Sequence, residues 1–162
     1  MLRLGAEFSA DKKFRYRLWR IWREDLPQVT WILLNPSTAD HLKDDPTIKR
    51  CIGFSMNMGY GGCEILNIFA LRSTYPGTLL QVEDPVGPAN DLTLLHRITI
   101  NPLVICAWGR VHEKLAWRPA SVMSLLKPFK PWLHCLKTCA DGSPAHPLYL
   151  SSKLRPIQWP RP

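Results

Sequence analysis

Val29-Thr30-Trp31-Ile32-Leu33-Leu34-Asn35-Pro36-Ser37-Thr38-Ala39-Asp40 is a continuous apolar run that breaks abruptly into an amide, a proline, two hydroxyls and a carboxylate. Without polar alternation, the run predicts a strand buried on both faces, as in a parallel sheet. Pro36 lacks the N–H that a ladder needs, so the strand should stop at Asn35. Asn35 then stands at the carboxyl end of a central strand, the edge where open α/β sheets hold their ligands.

Before this stretch, Glu24-Asp25-Leu26-Pro27 reads as a turn. Phe14–Trp22 reads as a half-exposed strand, at an edge, with Arg15 and Arg17 outward. Residues 1–13 carry no firm signal. After it, Asp44-Asp45-Pro46-Thr47 offers an acid as N-cap and a proline at the first helical position. That helix should run to about Met58 and end at Gly59-Tyr60-Gly61-Gly62. Cys63–Phe69 is a second apolar strand with Asn67 near its carboxyl end. Residues 70–87 form a connection long enough to suggest a function. Pro88-Ala89-Asn90-Asp91 opens a helix with Leu92, Leu95 and Ile98 apolar, and Pro102 closes the next turn. Leu103–Gly109 is a third strand, followed by a helix over about 110–127 that Pro119 kinks or divides. Trp132–Lys137 is a weaker fourth strand, and the segment from Ala140 onward should be mostly irregular. Strand–helix alternation predicts an α/β fold, a three-layer sandwich around a mainly parallel sheet. The whole chain, 1–162, reads as a single domain with a core at about 14–151 and an irregular basic, proline-rich tail at 152–162.

At 162 residues the chain can bury a sizeable core, and its ordinary apolar fraction excludes global disorder. A net charge of +8 favours a polyanionic partner, nucleic acid before an acidic membrane surface, although solubility alone also explains it. No stretch has the length of a membrane span and no signal-peptide pattern opens the chain, so a cytoplasmic monomer is expected. The five cysteines, Cys51, Cys63, Cys106, Cys135 and Cys139, lack zinc-site spacing. They predict reduced, buried thiols, with neither metal nor cofactor.

Asn35, Asn67, the Trp108-Gly109 turn and His146 all fall at or just after strand ends. In a parallel sheet those ends share one edge, so the four would line one crevice. In this order they resemble the uracil-DNA glycosylase superfamily. Ile65-Leu66-Asn67-Ile68-Phe69 resembles the segment whose asparagine reads a flipped base, and Cys106-Ala107-Trp108-Gly109 its tryptophan–glycine strand end. His146-Pro147-Leu148-Tyr149-Leu150 resembles the loop with the catalytic histidine, though with Leu148 and Tyr149 in place of a serine and a second proline. Leu34-Asn35-Pro36 resembles the mismatch-specific branch, whose asparagine positions the attacking water. Four stretches give a closer likeness: Asn35–Asp40, Asp44–Thr47, Gly59–Gly62 and Asp84–Gly87. They are similar, over about 14–151, to the family called domain of unknown function 1643.

The resemblance implies hydrolysis of the N-glycosidic bond of a modified or mismatched nucleobase in DNA. Such a base must be extruded into a pocket. Asn35, His146 and Asp40 are the candidate catalytic residues, with Asp44 and Asp45 alternatives to Asp40 as the carboxylate. Both are also good helix caps. Asn67, Phe54 and Pro36 are candidates for binding the base, and Phe54 reads equally as helix packing. Ser37, Arg72, Tyr149, Lys153 and Arg155 are candidates for DNA contact. Two other readings stand beside this one: non-catalytic binding of a nucleotide or nucleic acid, as in phage or bacterial defence or regulation, and an enzyme on free nucleosides or nucleotides.

Overall fold

The computed structural model describes residues 2–101 and 103–160. Pro102, expected to close a turn, lies outside the described residues. Strands β1 (Arg3–Phe8), β2 (Arg15–Ile21), β3 (Gln28–Leu33), β4 (Gly62–Asn67), β5 (Val104–Cys106), β6 (Leu133–Cys135) and β7 (Ile157–Gln158) form one sheet. Their order is β1-β2-β4-β3-β5-β6-β7. The central strands β4, β3, β5 and β6 are parallel, whereas β1, β2 and β7 add antiparallel at the two sides. The sheet is therefore mixed, not mainly parallel.

The opening apolar run forms β3, in the middle of the sheet. Val29, Trp31 and Leu33 point to the face covered by α1 (Pro46–Asn57), where they meet Ile48, Cys51 and Phe54. Ile32 points the other way, toward α2 (Asn90–Ile98) and α3 (Trp117–Leu125), in a core with Leu94, Ile98 and Val122. Burial on both faces explains the missing polar alternation, and each such side chain contributes about 1.5–3 kcal/mol. Trp31 is satisfied in the core because its indole N–H donates to Ser55 Oγ at 3.0 Å. The helix start also follows from the sequence: Asp45 Oδ1 accepts from the Ile48 N–H at 2.9 Å, and Pro46 takes the first helical position.

Two expectations are corrected, and two further segments gain detail. Arg15 and Arg17 do not face outward. Arg15 is only 2 % exposed, and Arg17 pairs with Glu64, itself fully buried and paired with Arg97 as well. Residues 3–8 form β1, whose Gly5 lies where any Cβ would strike the Trp19 ring. Pro119 does not divide a helix. It lies at the third position of α3, among the first N–H groups that have no intrahelical acceptor. The described residues from Ala140 onward are mostly irregular, as expected, but they are anchored: β7 pairs with β6, and Trp159 packs edge-to-face on Trp108 with ring centroids 5.4 Å apart. Cys51, Cys63 and Cys106 are buried thiols, and burial pushes Cys63 up to about 12. No helix among the described residues is long and apolar enough to cross a membrane.

Candidate functional site

The ends of β3 and β4 are in register, with Leu33 opposite Asn67. The ladder continues as the Ile68 and Phe69 N–H groups donate to the Leu33 and Leu34 carbonyls at 2.9 Å each. It then opens at Pro36. The Asn35 side-chain N–H group donates to the carbonyls of Pro36 at 3.0 Å and Ser73 at 2.9 Å. Those bonds fix the amide and knit the two loops together. Among the described residues Asn35 Oδ1 accepts no hydrogen bond, so its acceptor remains available.

A cavity of about 440 Å³ opens at these strand ends, with Arg15, Asn35, Asp45, Trp108, Gly109 and His146 among its walls. His146 arrives on a hairpin. Thr138 bridges Pro144, and the Gly109 N–H donates to the Pro144 carbonyl at 2.8 Å. Gly109 has φ +75°, and a Cβ there would approach His146 Cβ to 3.3 Å. Gly109→Ala is therefore expected to cost about 1–2 kcal/mol through the left-handed backbone. It should also displace His146, read as a change in that ring's NMR shifts together with a lower Tm. Unchanged His146 shifts would dismiss the contact.

Arg50 on α1 holds the same loop. Its guanidinium donates to the Pro147 carbonyl at 3.4 Å and, closer, to the Leu150 carbonyl, while stacking over Phe54. His146 Nδ1 accepts from the Leu148 N–H at 3.3 Å, so the neutral ring carries its proton on Nε2. Burial pushes the His146 pKa below 6.5, and the Asp45 carboxylate partly opposes that shift. A neutral ring with an Nε2–H donor follows at pH 7.

The sign of the pH dependence is fixed by that shift. A histidine easier to protonate unfolded than folded contributes stability above pH 6.5, and this is lost as pH falls through its lowered folded pKa. A Tm–pH curve should therefore fall more steeply below pH 6.5 in the wild type than in His146→Gln. Parallel curves would refute the assignment.

Arg15 is the least expected member of the site. It is 2 % exposed and has no carboxylate within ion-pair distance among the described residues. Its Nη1 donates to the Ala39 carbonyl at 2.8 Å and its Nη2 to Asn67 Oδ1 at 3.4 Å, and Nε has no partner. Burial pushes its pKa down to about 10, which leaves it a cation at neutral pH. Asp45 acts on it through space, so one carboxylate faces both Arg15 and His146.

The other sequence candidates separate. Ser37 lines the cavity. Asn67 does not: it is 1 % exposed, its Oδ1 accepts from Arg15 at 3.4 Å, and its own Nδ2 is unpartnered. Pro36 is buried, serving as acceptor for Asn35 and the Ser73 N–H. Phe54 is core, 2 % exposed and tilted against Trp31, so its packing reading is the one the structure supports. Asp40 stands outside the cavity, where it accepts from the Leu42 and Lys43 N–H groups at 2.8 Å each. Asp44 pairs with Arg20 at 2.8 Å. Of the three acids only Asp45 reaches the cavity. Tyr149 is almost fully exposed beside His146, and Lys153 and Arg155 are exposed on the tail away from the walls. Among the described residues no group of three or more His, Cys, Asp or Glu side chains is placed to hold a metal.

Sequence reading missed Arg15 because alternation with apolar neighbours makes an inward arginine look like an outward one. Asp45 does cap α1, as its sequence position implies; that the same carboxylate also lines the cavity depends on what α1 faces.

The protein is of the α/β class, a mixed sheet with a polar, partly charged cavity over its parallel strand ends, the edge at which open α/β sheets hold ligands. The chain belongs to the family described as protein of unknown function DUF1643, whose model matches residues 15–148. All the cavity walls lie within that span. No curated protein and no solved structure matches the chain.

Proposed function

We propose that the cavity receives a nucleobase extruded from DNA and that the protein hydrolyses its N-glycosidic bond on a uracil-DNA-glycosylase-like fold. The observation that carries this reading is the meeting of Asn35, Asp45 and His146 around one cavity whose wall includes the buried cation Arg15. Asn35 Oδ1 holds a water by accepting a hydrogen bond from one of its O–H groups, which stays intact as the hydroxyl of the product. Asp45 takes the other proton as the water oxygen bonds to the sugar carbon. The carbon–nitrogen bond breaks and its electron pair leaves with the base. The Nε2–H of His146 and the field of Arg15 stabilise that negative charge as it develops. Trp108 supplies an apolar wall, and Asp45, of the three acids among which the sequence does not choose, takes the carboxylate role.

The test is incubation with single-stranded and duplex DNA carrying uracil, mismatched thymine or modified pyrimidines. Abasic sites are expected with the wild type and are lost in Asn35→Ala and His146→Ala. No abasic product on any substrate refutes the activity. One observation favours a second reading, binding without turnover: Asn67, the base reader of the resemblance, is buried and does not line the cavity. That reading predicts tight, salt-dependent binding of the same DNA and no product.

A further inference from the structure

Beside the cavity lies an open trough of about 520 Å³. It shares Ser37, Ser73 and Thr74 with the cavity, so one ligand can occupy both. Its remaining walls are Lys12, Lys13, Thr38 and Arg72. Three cations and four hydroxyls therefore face one space, and no carboxylate lines it.

The arrangement is built rather than incidental. Arg72 is half-buried, with its guanidinium 4.9 Å from the Phe8 ring centroid, Nη1 donating to the Lys12 carbonyl at 3.1 Å, and Nε buried without a partner. Its backbone N–H donates to the Lys13 carbonyl at 3.1 Å, so Arg72 clamps the tip of the β1–β2 hairpin against the site. Lys12 holds φ +58° there, a left-handed conformation that a lysine rarely adopts and that the surrounding structure must impose.

The nearest acids are occupied. Asp11 accepts from Ser9 Oγ and the Lys13 N–H, and Asp40 from the Leu42 and Lys43 N–H groups. Seven arginines, at 3, 17, 20, 23, 97, 110 and 118, each pair with a carboxylate. Among the described residues Arg72 of the trough and Arg15 of the cavity do not, nor do Arg50 and Arg155, whereas Arg110, which also lines the cavity, does.

We infer that the trough is a phosphate subsite: Lys12, Lys13 and Arg72 neutralise a phosphate of the nucleotide whose base enters the cavity, and the hydroxyls of Ser37, Thr38 and Thr74 bond its oxygens, the Ser73 hydroxyl being held by Tyr75. The phosphate site stands on the trough's own residues, and the neighbouring base rests on the function proposed above. The same chemistry serves a phosphodiester of DNA or the monoester of a free nucleotide.

The experiment measures binding without turnover, so its outcome is separate from that of the abasic-site assay. Wild type and the double variant Lys12→Glu/Lys13→Glu are titrated with a fluorescent single-stranded oligonucleotide and, separately, with deoxyuridine monophosphate against deoxyuridine. Both lysines are exposed, so the fold should survive, and equal Tm values would verify this. Oligonucleotide affinity is expected to fall at least tenfold, and the slope of log K against log salt to flatten by about 0.7 for each phosphate no longer neutralised. Weakening confined to the oligonucleotide assigns a diester. Weakening for the monophosphate but not the nucleoside assigns a monoester. Unchanged affinity and slope for both phosphate probes, or a wild type that binds neither, overturns the subsite.

Discussion

Asp45→Asn is expected to slow base release by about 10²–10⁴-fold while leaving the protein about as stable as the wild type. The two effects separate because the carboxylate has two tasks. One oxygen caps α1 by accepting the Ile48 N–H, and asparagine caps a helix about as well as aspartate. The residue lines the cavity, where the mechanism proposed above has its charge take the proton from the water, and an amide cannot. Single-turnover formation of abasic sites reads the first effect and thermal melting the second. A third readout needs no activity. The Asp45 charge partly offsets the burial that lowers the His146 pKa, so its removal should lower that pKa further. Wild-type rates in Asp45→Asn would remove it from the chemistry, and an unmoved His146 titration would place its charge elsewhere.

Arg15→Met should cost about 10²–10³-fold in base release, the scale of losing one donor that stabilises developing negative charge. Stability should move by no more than about 2 kcal/mol, because two opposing effects are involved. The variant leaves the Ala39 carbonyl without its 2.8 Å donor, which costs about 1–3 kcal/mol. It also removes a cation whose burial alone pushes its pKa to about 10 and which has no ion-pair partner among the described residues, and replacing desolvated charge by an apolar side chain recovers stability. A purely structural arginine would give the reverse pattern, a large drop in Tm with binding and rate retained per folded molecule. Melting curves and nucleotide affinity measured together distinguish the two.

These expectations rest on residues that are legible in the sequence to different degrees. Asn35 is legible because proline chemistry is local: a residue without an N–H ends a ladder wherever it stands. The α1 start is legible for the same reason, since cap and first-turn proline act over four residues. Convergence of Asn35, Trp108, Gly109 and His146 follows from parallel strand order, which apolar runs separated by helices imply. Asn67 shows the limit of that reasoning. It does end β4 beside Leu33, yet it is buried and does not line the cavity, while Arg15 on the antiparallel neighbour β2, which donates to it, does.

The sequence by itself determined the central strands, the cap of α1 and the strand-end crevice, because those depend on backbone chemistry and on apolar runs a few residues long. Only the tertiary structure decided that β1, β2 and β7 join antiparallel, that Arg15 turns inward, and that Asp45 rather than Asp40 meets His146. Each of these is set by pairing between segments distant in the chain. A side chain's surroundings there depend on which strand lies alongside, and no local periodicity records that choice.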